Sequence, residues 1–180
     1  QQGVISVANC TTDKNGEFEM LGNIPDMGIY QLRLGESQDK IIALSLLPND
    51  EVTLEASFES FQNNPKFEGT EWAETLNEYI KLFNDFAIKQ EELGKKQGSI
   101  PEEELMASYF SLRKPIDEFC KTTIKKDPDN PVNILLTSFL MPSMGFQNWD
   151  TENLEVLQLM GKAYKERFKD SPIVKNMENQ

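Results

Sequence analysis

Acidic and amide side chains recur at short spacing in Asp13-Lys14-Asn15-Gly16-Glu17, a D-x-N-x-E arrangement like the opening of a calcium-binding loop. Such a loop also needs glycine at its sixth position and glutamate at its twelfth, to turn sharply and to close on the ion with a bidentate carboxylate. Those positions hold Phe18 and Ile24. The stretch is expected to be a plain turn, since Asn-Gly is the strongest short-range hairpin signal. Glu102-Glu103-Glu104 offers three carboxylates for a metal or for glycoside hydrolysis. Consecutive helical residues point in different directions, and acids in a first turn answer the helix dipole, so a solvated helix start is expected there. Asn9-Cys10-Thr11 fits an N-glycosylation sequon, a pattern that is common by chance and has no such meaning in a bacterial protein.

The 180 residues include two cysteines, Cys10 and Cys120, and no histidine. Without histidine or a CxxC pair, a His-based triad, a structural zinc site and a thioredoxin-type redox pair are excluded within this chain. The spacing leaves a Cys10–Cys120 disulfide open. Buried free thiols are the favoured expectation, because cysteine packs as a small apolar residue. Trp72, Trp149 and Phe146 are the aromatics that could line a sugar or peptide groove. Trp72 falls on an apolar helical stripe and is expected in the core, whereas Trp149 sits in a loop. Met141-Pro142-Ser143-Met144-Gly145-Phe146 reads as a pliable apolar loop. Met141, Met144, Phe146 and Trp149 are therefore the candidate partner contacts; no catalytic, cofactor-binding or metal-binding residue is nominated.

The elements that would position these residues fall into two regions. Residues 3–8 form a β-branched run, 17–20 alternate so that Phe18 and Met20 share a face, and Tyr30, Leu32 and Leu34 alternate again. Residues 41–47 are nearly continuous apolar, which suits a strand covered on both faces, and 52–58 alternate once more. At Gly69-Thr70 the pattern changes to helical. Trp72, Leu76, Tyr79, Ile80, Phe83 and Ala87 recur at three- and four-residue steps after a Thr70 cap. Ser99-x-x-Glu102 is a capping-box signature for a second helix, in which Leu105, Tyr109, Leu112, Ile116, Phe119 and Thr123 are the stripe and Pro115 predicts a kink or break near Leu112. Further helices are expected from Asn130-Pro131, from Asp150-Thr151 and from Ser171-Pro172. The fold class is thus α+β: a small antiparallel sheet or half-sandwich of meander type over 1–68, then four to five helices over 69–180.

With 38% hydrophobic and 27% charged residues, the composition is that of a folded, soluble protein. The 30 acidic against 18 basic side chains leave a net charge of −12. This argues against nucleic acid or an anionic membrane surface, which need clustered Lys and Arg. No apolar run reaches the roughly 18–20 residues of a membrane span, and no signal peptide is seen, which does not exclude export.

A series of short motifs gives the chain a family resemblance. They are Thr12-Asp13-Lys14-Asn15-Gly16-Glu17-Phe18, Gly22-Asn23-Ile24-Pro25, Gly28-Ile29-Tyr30-Gln31-Leu32 and Leu47-Pro48-Asn49-Asp50. Then come Phe67-Glu68-Gly69-Thr70, Lys126-Asp127-Pro128-Asp129-Asn130-Pro131 and Phe168-Lys169-Asp170-Ser171-Pro172. In this order they resemble the N-terminal domain of unknown function that precedes the thioredoxin-like domain of exported bacterial thiol-disulfide interchange (TlpA-type) proteins. The chain lacks the CxxC of such proteins, so none of the family's redox residues has a position here. The resemblance implies a non-enzymatic accessory domain in the cell envelope, periplasmic or part of an outer-membrane lipoprotein. It would act without a cofactor, with its own thioredoxin-like domain or a redox partner as protein partner. A stand-alone glycan- or peptide-binding module is the alternative, and a hydrolase with paired carboxylates the least favoured reading.

Overall fold

A computed structural model describes residues 6–36, 40–141 and 150–177 of the chain. Strands β1 (Gly28–Arg33) and β2 (Ile41–Leu46) pair antiparallel, with Gln31 opposite Ala43 and Leu32 opposite Ile42. A second ribbon joins β3 (Thr53–Glu55) to β4 (Lys66–Glu68), with Leu54 opposite Phe67. Five helices follow: α1 (Ala73–Gly94), α2 (Glu102–Lys126), α3 (Asn133–Leu140), α4 (Thr151–Arg167) and α5 (Pro172–Met177). The class is α+β, as expected, but the strands form two separate two-stranded sheets rather than one meander.

Several local expectations need correction. Residues 17–20 are not a strand, and Phe18 and Met20 are largely solvent-exposed. Of the run at 3–8, residues 6–8 are not strand and 3–5 lie outside the described residues. The apolar run at 41–47 is half of a ribbon, not a strand with sheet on both sides, and Ala43 is exposed. The strand expected over 52–58 is confined to β3, leaving Phe58 64% exposed beneath the Lys40 ammonium, 4.2 Å from the ring centroid. A capping box does not form at α2, where Pro101 holds the N-cap position without a side-chain bond. Nor does Pro115 break α2. Pro115 and Ser111, whose carbonyl loses its helical partner, both face solvent, so water can serve that carbonyl.

Two apolar clusters hold the elements together. The first gathers Phe86 of α1, Ile116, Cys120 and Ile124 of α2, Leu136 and Leu140 of α3, and Val156, Met160 and Tyr164 of α4. The second joins Ile42 and Leu44 of β2 and Phe67 of β4 to Trp72, Leu76 and Val132. Trp72 is fully buried, as its place on the stripe predicts, and its Nε1 donates to Asp50 Oδ2 at 2.8 Å. That carboxylate also accepts from Leu47 N at 2.9 Å, closing the turn after β2. The stripe of α1 is rotated from expectation: Phe86 is buried, while Phe83 and Ala87 are exposed. Helix α1 opens at Ala73 with no side-chain cap, and the Thr70 hydroxyl is buried without a hydrogen bond. Before it, Gly69 has φ 96°, and a Cβ there would lie 2.5 Å from Glu51 O, so glycine alone fits.

The turn between α2 and α3 is the main joint. Tyr164 Oη donates to Asn130 O at 2.7 Å and accepts from Ile134 N at 3.2 Å. Asn130 Oδ1 accepts from Val132 N, Asn133 Nδ2 donates to Asp127 O at 2.7 Å, and Ser45 Oγ of β2 donates to Pro131 O at 2.7 Å. Burial pushes the Tyr164 phenol well above its ordinary pKa, so it stays a donor across the physiological range. Removing this hydroxyl in Tyr164→Phe leaves two buried backbone groups without their partner, and urea unfolding should show a loss of about 1–3 kcal/mol.

Candidate functional site

The candidate contacts at the end of α3 are placed by an arginine. Met141 follows Leu140 in extended conformation with its side chain 46% exposed. Met144, Phe146 and Trp149 lie outside the described residues. Arg113 of α2 donates through Nη2 to Phe139 O, and the same atom lies 3.5 Å from Met141 O. Its Nε is 3.0 Å from Asp117 Oδ1, one helical turn on, and its guanidinium stands over the Phe139 ring at 5.5 Å. Arg113 therefore satisfies carbonyls that the C-terminus of α3 leaves unpaired, and fixes where the chain leaves that helix.

Around Phe139 the aromatic side chains form a continuous set. Phe83, Phe86 and Tyr79 approach its ring edge-on at 6.1, 5.6 and 6.3 Å, and Tyr109 meets Phe86 at 6.0 Å. Phe83 and Phe110 remain partly exposed, so this cluster runs from the first core to the surface beside Met141. Sequence reasoning did not single out Arg113. The available signal was an Arg-x-x-x-Asp pair next to the apolar stripe residues Leu112 and Ile116, since a cation at a stripe's border needs a buried partner.

Electrostatics around this surface favour structure over reactivity. Burial raises the Asp117 carboxyl above its usual range, outweighing the Arg113 contact that lowers it. Burial, with the nearby Asp117 charge, pushes the Cys120 thiol up to about 12, which keeps it a neutral packing group. Both cysteines are free, and Cys10 is exposed, contrary to the expectation that both would be buried. Beside the start of α4, Glu152 accepts from Lys125 at 2.6 Å and from Lys121 at 3.0 Å, bonds that hold its carboxyl down to about 2. Asp150 caps α4 by accepting from Glu152 N at 2.8 Å.

The acidic motifs are likewise occupied or solvated. Asp13 Oδ1 accepts from Asn15 N and Glu17 N, and Gly16 has φ 85°, so the carboxylate builds the turn. Glu102, Glu103 and Glu104 are all exposed in the first turn of α2. Among the described residues no group of three His, Cys, Asp or Glu side chains could hold a metal ion.

Two concavities interrupt the surface. A cleft of about 330 Å³ lies where Met27, Leu47 and Phe168 meet, with Arg167 engaged by Glu71 and Asp129 at its rim. A shallower groove of about 820 Å³ runs along α1 beside the turn that leads into β4. There Asn77 clamps Phe67 N and Phe67 O, both at 2.8 Å, and Asn84 donates to Asn63 O. Lys81, Asp85 and Glu55 complete its polar walls.

The contrast between the cysteines is directly measurable. In the native chain a thiol reagent such as DTNB should label Cys10 alone, and Cys120 should react only after unfolding. Equal labelling of both without denaturant would contradict the buried, neutral thiol. No protein-family model matches the chain, and no curated protein and no solved structure matches it either.

Proposed function

We propose that the chain is a non-catalytic N-terminal accessory domain of a cell-envelope thioredoxin-like thiol-disulfide oxidoreductase, and that it binds or orients the redox partner. The observation that carries this reading is the ordered series of turn motifs running from residues 12–18 to residues 168–172. Thiol-disulfide exchange needs a thiolate with a second thiol within reach. One cysteine of this chain is exposed and unpaired, and the other is buried with its pKa raised. On this reading the redox centre belongs to the thioredoxin-like domain that follows in such proteins. Residence in the cell envelope, in the periplasm or as part of an outer-membrane lipoprotein, comes with the same proposal. The coding sequence beyond Gln180 should encode a CxxC-bearing thioredoxin-like domain, and the present chain alone should leave the rate of insulin reduction by dithiothreitol unchanged. A continuation without that motif overturns the reading.

The groove along α1 favours a second reading, a stand-alone envelope module for a glycan or peptide. Its lining combines amides and hydroxyls with two acids, Glu55 and Asp85, and two bases, Lys66 and Lys81. A locally balanced groove in a chain of net charge −12 suits an uncharged, hydroxyl-rich ligand better than an ionic one. On this reading, titration with maltohexaose should give saturable amide NMR shifts at Lys81, Asn84 and Asp85; their absence rejects the neutral-glycan form of it.

A further inference from the structure

Two surfaces of the chain have no layer over them. The first is the segment 6–23. Asp13 N donates to Glu17 O at 2.8 Å, and a Cβ on Gly22 would lie 3.4 Å from that of Ala8. Both pairs share one register, so the segment runs out and back as an arm, with Asn9 opposite Leu21 and Thr11 opposite Glu19 on the same side. On that side Leu21 is 86% exposed and Val7 is 49% exposed. The second surface is the outward face of the β1–β2 ribbon. Leu32, Ile42 and Leu44 turn into the second core, and strand periodicity puts Ile29, Gln31, Arg33 and Ala43 on the opposite face, where all four are exposed.

We propose that these surfaces cover each other in a twofold dimer of this chain, the arm of each copy lying across the outward β1–β2 face of the other. Leu21 packs on Ile29 and Ala43, and Glu19, one strand step away, meets Arg33. Three features select a second copy as the occupant. The chain carries both surfaces itself, so exchange about a twofold axis closes the assembly and leaves neither one open. The charges match, since the arm presents Glu19 beside its apolar pair and the ribbon presents Arg33 beside Ile29 and Ala43. The extent matches too: the arm and the outward ribbon residues together offer roughly 20 residues a side, the size of a standard interface. The arm has little other support, because an isolated two-stranded hairpin is marginal in water.

Sedimentation velocity on the full chain, from low micromolar to submillimolar concentration, tests this. A concentration-dependent dimer is expected, and Leu21→Asp, at a position that carries no core packing, should weaken it by at least about tenfold. Arg33→Glu should weaken it as well, and Glu19→Arg in the same chain should restore it. In a Cys10→Ser background, a mixture of Leu21→Cys and Ile29→Cys chains should form a disulfide-linked heterodimer on mild oxidation. A monomer at every concentration overturns the proposal. So does a dimer that Leu21→Asp leaves unchanged, or a mixture that yields no cross-linked heterodimer.

Discussion

The turn from Asp127 to Val132 runs through the interior, where each backbone amide and carbonyl removed from water needs a partner. Asn130, Val132 and Asn133 are all buried there. The hydroxyl of Tyr164 answers one carbonyl and one amide, the Asn130 side chain answers the amide of Val132, and Ser45 answers Pro131. Each donor or acceptor comes from a different part of the chain. The turn thereby ties α4 and β2 to the junction of α2 and α3. Val132 sits in the core shared with the ribbons while Tyr164 sits in the helical core, so packing in both clusters depends on this one set of bonds. Arg167 extends the joint outward, meeting Asp129 on one side and Glu71, just before α1, on the other.

How far the fold could be read from the sequence follows from where each signal is decided. Helical periodicity is local, and it identified α1, α2 and α4 with most of their buried stripes. It missed by rotation at α1, because the approach of Phe139 from α3 decides whether Phe83 or Phe86 is covered. Strand pairing is nonlocal. The three-residue β4 leaves little pattern, and only the partner Leu54 and the core around Phe67 make it a strand. The Asn-Gly turn forms as its chemistry requires, yet alternation at 17–20 yields a strand only where a second layer covers its apolar face. Alternation alone does not supply that layer.

The candidate site divides in the same way. Loop composition pointed to Met141 but could not reveal Arg113, whose importance comes from facing the carbonyls at the end of α3 across the helix pair. A sequence shows that Arg113 and Asp117 are one turn apart; it does not show that both are largely withdrawn from solvent. Burial then sets the local chemistry. Desolvation dominates at Asp117 and Cys120 and raises both, so the groups that would look reactive as a constellation are held in their neutral or paired forms. Polar side chains elsewhere follow the same rule. Asp13, Asp50, Asn77 and Asp150 direct their oxygens to backbone amides or the Trp72 indole.

This division bears on what the motif series can mean. Asp13, Asp50, Gly69 and Asn130 lie in four of those motifs, and each acts at a turn or junction: an Asx turn, a turn closed on Trp72, a backbone approach that excludes a Cβ, and the buried link from α2 to α3. Residues with such duties are constrained by geometry whatever the protein acts upon. A shared series of them is a signature of architecture, and it carries information about activity only through the proteins in which that architecture occurs. Activity must then lie in surfaces that the joints leave open: the aromatic border beside Met141, the groove along α1, and the arm ahead of β1. Of these, the arm is the one whose exposed apolar side chains do no packing within their own chain, so its conformation is the most sensitive to a partner.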